Sequence, residues 1–362
     1  MPNSRSENVR LKRRYYEYLK HAKGLSEKSI DQAAAAIDEF ETFNGKKPFS
    51  VFHVQHATNY KTQLLEGSNS DTGKVLSLAT VRARLKAVQA FFVWLADQSG
   101  YRSRIRYCDA EYFTLTARDE RIATAPRKKP VPEISQVERC VDVMPYSTAI
   151  EKRDRAMIAF IAITGIRDGA VASLKLKHVD LKAGVVFQDP REVKTKFAKT
   201  ITTAFFPVSD KLEAIVREWV EFLTNDLHFG PDDPLFPRTR MKHVKGKGLQ
   251  AIGLDRACWS SANRIRQIFS AAFQNAALPP FNPHAFRNML VRIGMERCKG
   301  PEAFKAWSQN LGHEGVITTF SSYGNIPDHQ QVEIIRKLAS TMGPNDALEQ
   351  CLQAALDAVQ RR

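Results

Sequence analysis

The chain has 362 residues, 43% of them hydrophobic and 9% aromatic, which is enough for two domains with separate cores and unlike a disordered or membrane-embedded composition. Lys plus Arg (54) exceeds Asp plus Glu (39), giving a formal net charge of +15 and a pI near 9.6, a balance that favours a polyanionic partner. The five cysteines, Cys108, Cys140, Cys258, Cys298 and Cys351, are odd in number and form no C-x-x-C pair, so they read as reduced, mostly buried small hydrophobes and not as a disulfide framework.

The opening stretch MPNSRSENVRLKRRYYEYL is charged throughout and has no leader-like apolar region, and no run reaches the ~18 apolar residues of a membrane span. The expected location is the cytoplasm, at the bacterial nucleoid. An anionic membrane surface is disfavoured as partner because the cations are spread over many elements and no lipidation motif is present.

Helices are predicted for the first third. In SEKSIDQAAAAIDEFETF, Ser26 suits an N-cap and Ile30, Ala34, Ile37 and Phe40 recur at helical spacing before Gly45. In TVRARLKAVQAFFVWL, Thr80 is the expected cap, and Val81, Leu85, Val88, Phe91, Phe92 and Leu95 form one face. The opposite face carries Arg82, Arg84 and Lys86. Such charges commonly face solvent, yet further arginines nearby make a DNA-gripping helical module the working expectation.

Residues 116–134, TARDERIATAPRKKPVPEI, contain three prolines and Arg127, Lys128 and Lys129 without hydrophobic periodicity, so a basic linker able to lie along a phosphate backbone is expected here. Beyond it, Ser135 and Glu138 suggest a capping box, and RDRAMIAFIAITG an apolar helix ended by Gly165. DLKAGVVFQDP and AKTITTAFFPVSD suggest two or three antiparallel strands. Residues 236–254, rich in Arg, Lys and Gly, read as a mobile basic loop between helices in SDKLEAIVREWVEFL and ANRIRQIFSAAFQNA. NDALEQCLQAALDAVQRR offers a capping box at Asp346 and Glu349 and an apolar stripe of Leu348, Leu352, Ala355, Leu356 and Val359.

Three short segments stand out. His284 and Arg287 share a helical face at a helix start, where backbone N–H groups favour anions. Arg167 follows the apolar helix in a Gly-bounded turn, and Tyr323 stands ten residues after His313 among Ser321, Ser322 and Gly324. Taken singly, each is a common structural feature.

Together, Thr164-Gly165-Ile166-Arg167, His284-Ala285-Phe286-Arg287 and Leu311-Gly312-His313 with Tyr323 resemble the tyrosine recombinase family, also called phage integrases, in which T-G-x-R, H-x-x-R and L-G-H followed by Tyr occur in this order. GLSEKSI and LATVRARLKAVQAFFVWL look like that family's helical core-binding domain. The resemblance implies a multidomain, mainly α protein: an N-terminal helical, SAM-like core-binding domain (1–115), the linker (116–134), and a C-terminal α+β catalytic domain with a small antiparallel sheet and a tail helix (135–362). The family's catalytic lysine lies on a β-hairpin turn; Lys194 fits best, with Lys196 or Lys199 as alternatives. Ala170 stands where the family usually has a carboxylate, Asp168 adjoins Arg167, and the His313 to Tyr323 interval is one residue longer than the commonest spacing.

The residue types suit phosphodiester chemistry. Arg167 and Arg287 can clamp the charge that builds on the phosphoryl oxygens. Tyr323, a phenol of pKa about 10, must lose its proton as it attacks; His284 is the expected base, His313 a phosphate donor, and Lys194 the acid for the departing 5′ oxygen. No cofactor or metal is expected, and no G-x-x-x-x-G-K-[ST] loop is present. The expected function is a site-specific recombinase or integrase serving a mobile element, working through a 3′-phosphotyrosine. Its expected partners are duplex DNA with specific sites, three further copies in a homotetramer joined by the tail helix, and an accessory DNA-bending protein. The rival readings are a type IB topoisomerase and an inactive DNA-binding protein of the same fold.

Overall fold

The computed structural model describes residues 4–67, 75–125, 130–246 and 248–313. The chain forms two compact units, Met1–Arg127 and Lys128–Arg362.

In the first unit, α1 (Ser4–His21), α2 (Glu27–Phe43), α3 (Val54–Glu66) and α4 (Leu78–Ala96) surround an aromatic core in which Phe40, Phe91 and Phe92 are fully buried. Ser26 caps α2 as expected, its side chain accepting from the Ser29 N–H. The cap of α4 is Ser77, three residues before Thr80, because Ser77 holds the extended backbone of a cap and its Oγ accepts the Thr80 N–H at 3.2 Å. The predicted apolar face of α4 is buried from Val81 to Leu95.

Part of the stretch expected as a linker, 116–134, is helical. Thr116 caps a helix, α5 (Ala117–Thr124), that buries none of its residues, so no hydrophobic stripe could announce it. Charge holds it in place: Glu120 of α5 meets Arg82 of α4 at 2.5 Å and Lys86 at 3.6 Å.

The second unit is built around α7 (Ala149–Thr164), every residue of which is buried from Ala156 onward. α6 (Ile134–Val143) packs on it, capped by Glu133 and Gln136 and not by Ser135; Glu138 instead accepts from Ser209 Oγ at 2.5 Å. After α8 (Asp168–Val171) comes the expected antiparallel sheet, β1 (Val179–Asp180), β2 (Val185–Gln188) and β3 (Ile201–Ala204), in that spatial order. α9 (Asp210–Glu221) follows, capped by Ser209 and packed on α7.

The stretch read as a mobile loop is a two-stranded hairpin, β4 (Arg238–Val244) paired with β5 (Gly248–Asp255), with a bulge between Arg240 and Met241. Both faces of its outer half are exposed, so alternation between apolar and polar residues, the usual strand signal, is missing. The root is fixed by Arg153 of α7. This fully buried guanidinium donates to the Pro237 carbonyl at 2.9 Å and to Thr239 Oγ1 at 3.0 Å. α10 (Asn263–Asn275), α11 (Pro283–Arg297) and α12 (Pro301–Asn310) complete the described unit.

Candidate functional site

The T-G-x-R segment is a helix stop that delivers a charge. Thr164 Oγ1 donates back to the Phe160 carbonyl at 2.6 Å and accepts from the Ile166 N–H at 3.3 Å. Gly165, at φ 62°, is the left-handed C-cap of α7. A Cβ there would lie 2.8 Å from Leu311 Cδ2 and 2.9 Å from Leu290 Cδ1. The turn sets Arg167 at the head of α8. Its guanidinium makes no hydrogen bond or ion pair among the described residues, and partial burial lowers its pKa.

The H-x-x-R segment opens α11. Asn282 caps the helix by accepting the Ala285 N–H at 3.0 Å, and Pro283 occupies the first turn, where its missing N–H costs nothing. His284 is exposed, whereas Arg287, one turn on, is 4% exposed. Arg287 draws the other motifs together: Nη1 donates to the Gly165 carbonyl, and Nη2 to the Leu311 carbonyl at 2.7 Å and to His313 Nε2 at 2.9 Å. Burial, then the charge of Arg167, pushes the Arg287 pKa down to about 9, which leaves it a cation at neutral pH.

The L-G-H segment is placed by α12. Trp307 Nε1 donates to the Leu290 carbonyl of α11 at 2.8 Å, and the indole closes on Gly294 so tightly that a Cβ there would lie 2.5 Å from Nε1. Asn310 binds β3 on both sides of Ala204, accepting its N–H at 2.7 Å and donating to its carbonyl at 2.9 Å. Gly312, at φ 68°, then turns the chain beside Ile201, so that His313 reaches Arg287. Burial, followed by the charges of Arg287, Arg167 and His284, pushes the His313 pKa down to about 4. The ring is therefore neutral at pH 7. Arginine can only donate, so Nε2 is the acceptor and Nδ1 carries the proton.

The β2 to β3 connection carries the lysines. The Lys194 N–H donates to Ser173 Oγ at 2.9 Å, and its carbonyl lies 4.0 Å from where a Cβ on Gly169 would stand. Its backbone is thus docked beside α8, whose N-cap is Arg167. Lys194 Nζ lies 3.4 Å from the Ser260 carbonyl, while the Lys196 and Lys199 ammoniums stand 4.8 and 5.9 Å from the ring centroid of Phe197. Ala170 is buried, and Asp168 pairs with Arg266 of α10 at 2.7 Å.

Four predicted residues therefore share one electrostatic environment: Arg167, His284, Arg287 and His313. Tyr323, the tail stripe and Arg127, Lys128 and Lys129 lie outside the described residues. Arg82, Arg84 and Lys86 are already matched, Arg84 by Glu39 at 2.7 Å and the other two by Glu120. Among the described residues no group of three or more His, Cys, Asp or Glu could hold a metal ion. Sequence reasoning missed the supports: the carbonyls of Gly165 and Leu311, Ser173, Gly294, Trp307 and Asn310. Only Trp307, four residues before Leu311, left a visible sign, as a large aromatic beside the L-G-H segment.

Two guanidiniums with a neutral histidine can bind an oxyanion such as a phosphoryl group. The fold is similar to that of several solved structures. The lambda integrase dimer bound to a COC′ core site has a TM-score of 0.60 at 13% identity, covering 88% of this chain and 97% of that one. The Tn1549 transposon integrase in complex with transposon right end DNA has a TM-score of 0.57 at 13% identity, covering 91% and 99%. XerH recombinase bound to palindromic difH substrate has a TM-score of 0.57 at 15% identity, covering 90% and 82%. In sequence, the tyrosine recombinase XerC of Escherichia coli O1:K1 / APEC is 24% identical over 241 residues, 66% of this chain and 71% of that protein. Residues 133–326 match the phage integrase family. The chain belongs to this family of tyrosine recombinases and is a site-specific DNA recombinase.

Proposed function

We propose that the site cleaves one strand of duplex DNA by attack of Tyr323 on a phosphodiester, leaving a 3′-phosphotyrosine and a 5′ hydroxyl, and that reversal of this step with a new 5′ hydroxyl joins recombinant strands. The observation that carries the assignment is the position of Arg287, whose single guanidinium ties together Gly165, Leu311 and His313.

Arg167 and Arg287 hold the two non-bridging oxygens as charge builds on them. Arg167, half-buried and unpaired among the described residues, gains most from an incoming phosphate. His313, neutral with its proton on Nδ1, donates a hydrogen bond without adding a charge, and exposed His284 takes the phenol proton. Lys194 protonates the departing 5′ oxygen. Its backbone docking against Ser173 and Gly169 supports Lys194 over Lys196 and Lys199. The covalent intermediate conserves the energy of the broken bond, so rejoining needs no nucleotide cofactor.

The first unit serves as the helical core-binding domain, and the second as the catalytic domain. DNA with specific sites is the partner, four copies act together through the tail helix, and an accessory DNA-bending protein assists. Integration or excision of a mobile element is the biological reaction. Nicked duplexes with a randomised core, incubated with the full chain and resolved under denaturing conditions, test the assignment. A covalent adduct is expected from wild type, and none from Tyr323→Phe, which retains duplex binding. Binding without an adduct leaves an inactive DNA-binding protein; relaxation of plasmid without strand exchange leaves a topoisomerase.

A further inference from the structure

Phe197 is the most exposed large hydrophobic residue of the described chain, at 74%. It stands in the connection that carries Lys194, and its backbone lies in the left-handed region at φ 61°, as does that of Ala198 at φ 50°. Two successive non-glycine residues in this region are unfavourable, and an aromatic one especially so. The loop is nevertheless pinned: Val193 is 2% exposed, the Thr195 N–H donates to the Val193 carbonyl at 2.7 Å, and the Lys194 N–H to Ser173. Its backbone therefore pays a conformational cost to present a phenyl ring to solvent.

The ring is flanked by cations. Lys196 Nζ lies 4.8 Å and Lys199 Nζ 5.9 Å from its centroid, near enough for attraction to the ring face. A surface that buries this group must offer a flat apolar or π face with anionic groups beside it. An unstacked nucleobase with its flanking phosphates has that composition. Three residues of chain reach at most about 11 Å, so a ring that follows Lys194 by three positions stays close to whatever phosphate Lys194 serves.

We infer that Phe197 is a positioning residue that stacks on a base beside the cleaved phosphate, holding that base out of the helical stack while Lys196 and Lys199 take the neighbouring phosphates. The inference rests on the reading of Lys194 as the acid for the leaving 5′ oxygen. Stacking there lets the strand bend into line for attack. It asks nothing of the first unit or of the tail.

The test uses the full chain and the duplex it captures covalently from the randomised set, resynthesised with 2-aminopurine at each position flanking the cleaved phosphate in turn. Wild type should raise emission several-fold at one of these positions. Phe197→Asn, a residue that tolerates the left-handed backbone but has no ring, should leave emission at the level of the unbound duplex. It should also slow adduct formation about tenfold, with affinity changed less than about threefold. Phe197→Trp should restore the rate and quench the probe. Equal emission and equal rates for wild type and Phe197→Asn overturn the role of Phe197 alone. A wild-type chain that captures no duplex overturns the reading of the site, and the role of Phe197 with it.

Discussion

The two arginines of the site are chemically alike and structurally different. Arg287 is buried and satisfies two carbonyls, whereas Arg167 satisfies none among the described residues. Arg287→Ala should therefore unfold the second unit more easily, by about 2–5 kcal/mol, because it strands buried acceptors. Arg167→Ala should leave the denaturant midpoint nearly unchanged and lower the rate of adduct formation by about 10²–10³. A shared loss of stability in both variants would contradict this division. His313 adds a pH signature. Its folded value of about 4 lies below the ordinary 6.5, so the unfolded chain takes up this proton first as pH falls. The stability it contributes is complete above about 6.5 and drains as pH falls towards about 4. Thermal midpoints of wild type and His313→Gln, compared between pH 7 and pH 5, should accordingly converge on the acid side.

At the scale of elements, the site is a junction of helix ends. Gly165 ends α7, Gly312 follows α12, and both need a left-handed backbone. Gly165→Ala should destabilise more than Gly312→Ala. The added methyl would come within 2.9 Å of two buried leucines in the first case, and no nearer than 3.0 Å to the side chain of one isoleucine in the second. Circular dichroism melts would rank them. Gly294 tests whether helix packing sets the chemistry: Gly294→Ala drives a methyl into the Trp307 ring and pushes α12 off α11. Adduct formation should fall although Gly294 carries no reacting group; an undiminished rate with a lowered melting point would show that α12 docking does not govern His313.

At the scale of the molecule, the +15 charge is not spent uniformly. Arg82, Arg84 and Lys86 are neutralised within the first unit, while Arg240, Lys242 and Lys245 on the β4–β5 hairpin are exposed and meet no carboxylate among the described residues. Replacing the three hairpin cations with Gln should make the log-affinity for duplex DNA less steep in log salt by about 2–3. Replacing the three α4 cations should change the slope by less than about 1, and equal changes would mean that the ion pairs open on DNA. Motif order and helical periodicity were legible in the sequence, because arginine and histidine side chains carry residue identity and apolar stripes repeat every turn. That is why the short sheet and the aromatic face of α4 were readable, and why Arg167, His284, Arg287 and His313, which the fold gathers, stood out as motif residues. Helix α5 and the β4–β5 hairpin were not, since neither has a continuous buried face to imprint a pattern on the sequence. Nor was the partnership of Arg287 with the Gly165 and Leu311 carbonyls, because main-chain acceptors carry no residue identity. The sequence by itself determined which side chains could do the chemistry; only the tertiary structure decided which arginine is held by the fold and which has no partner among the described residues, because that depends on desolvation and distance between segments more than a hundred residues apart.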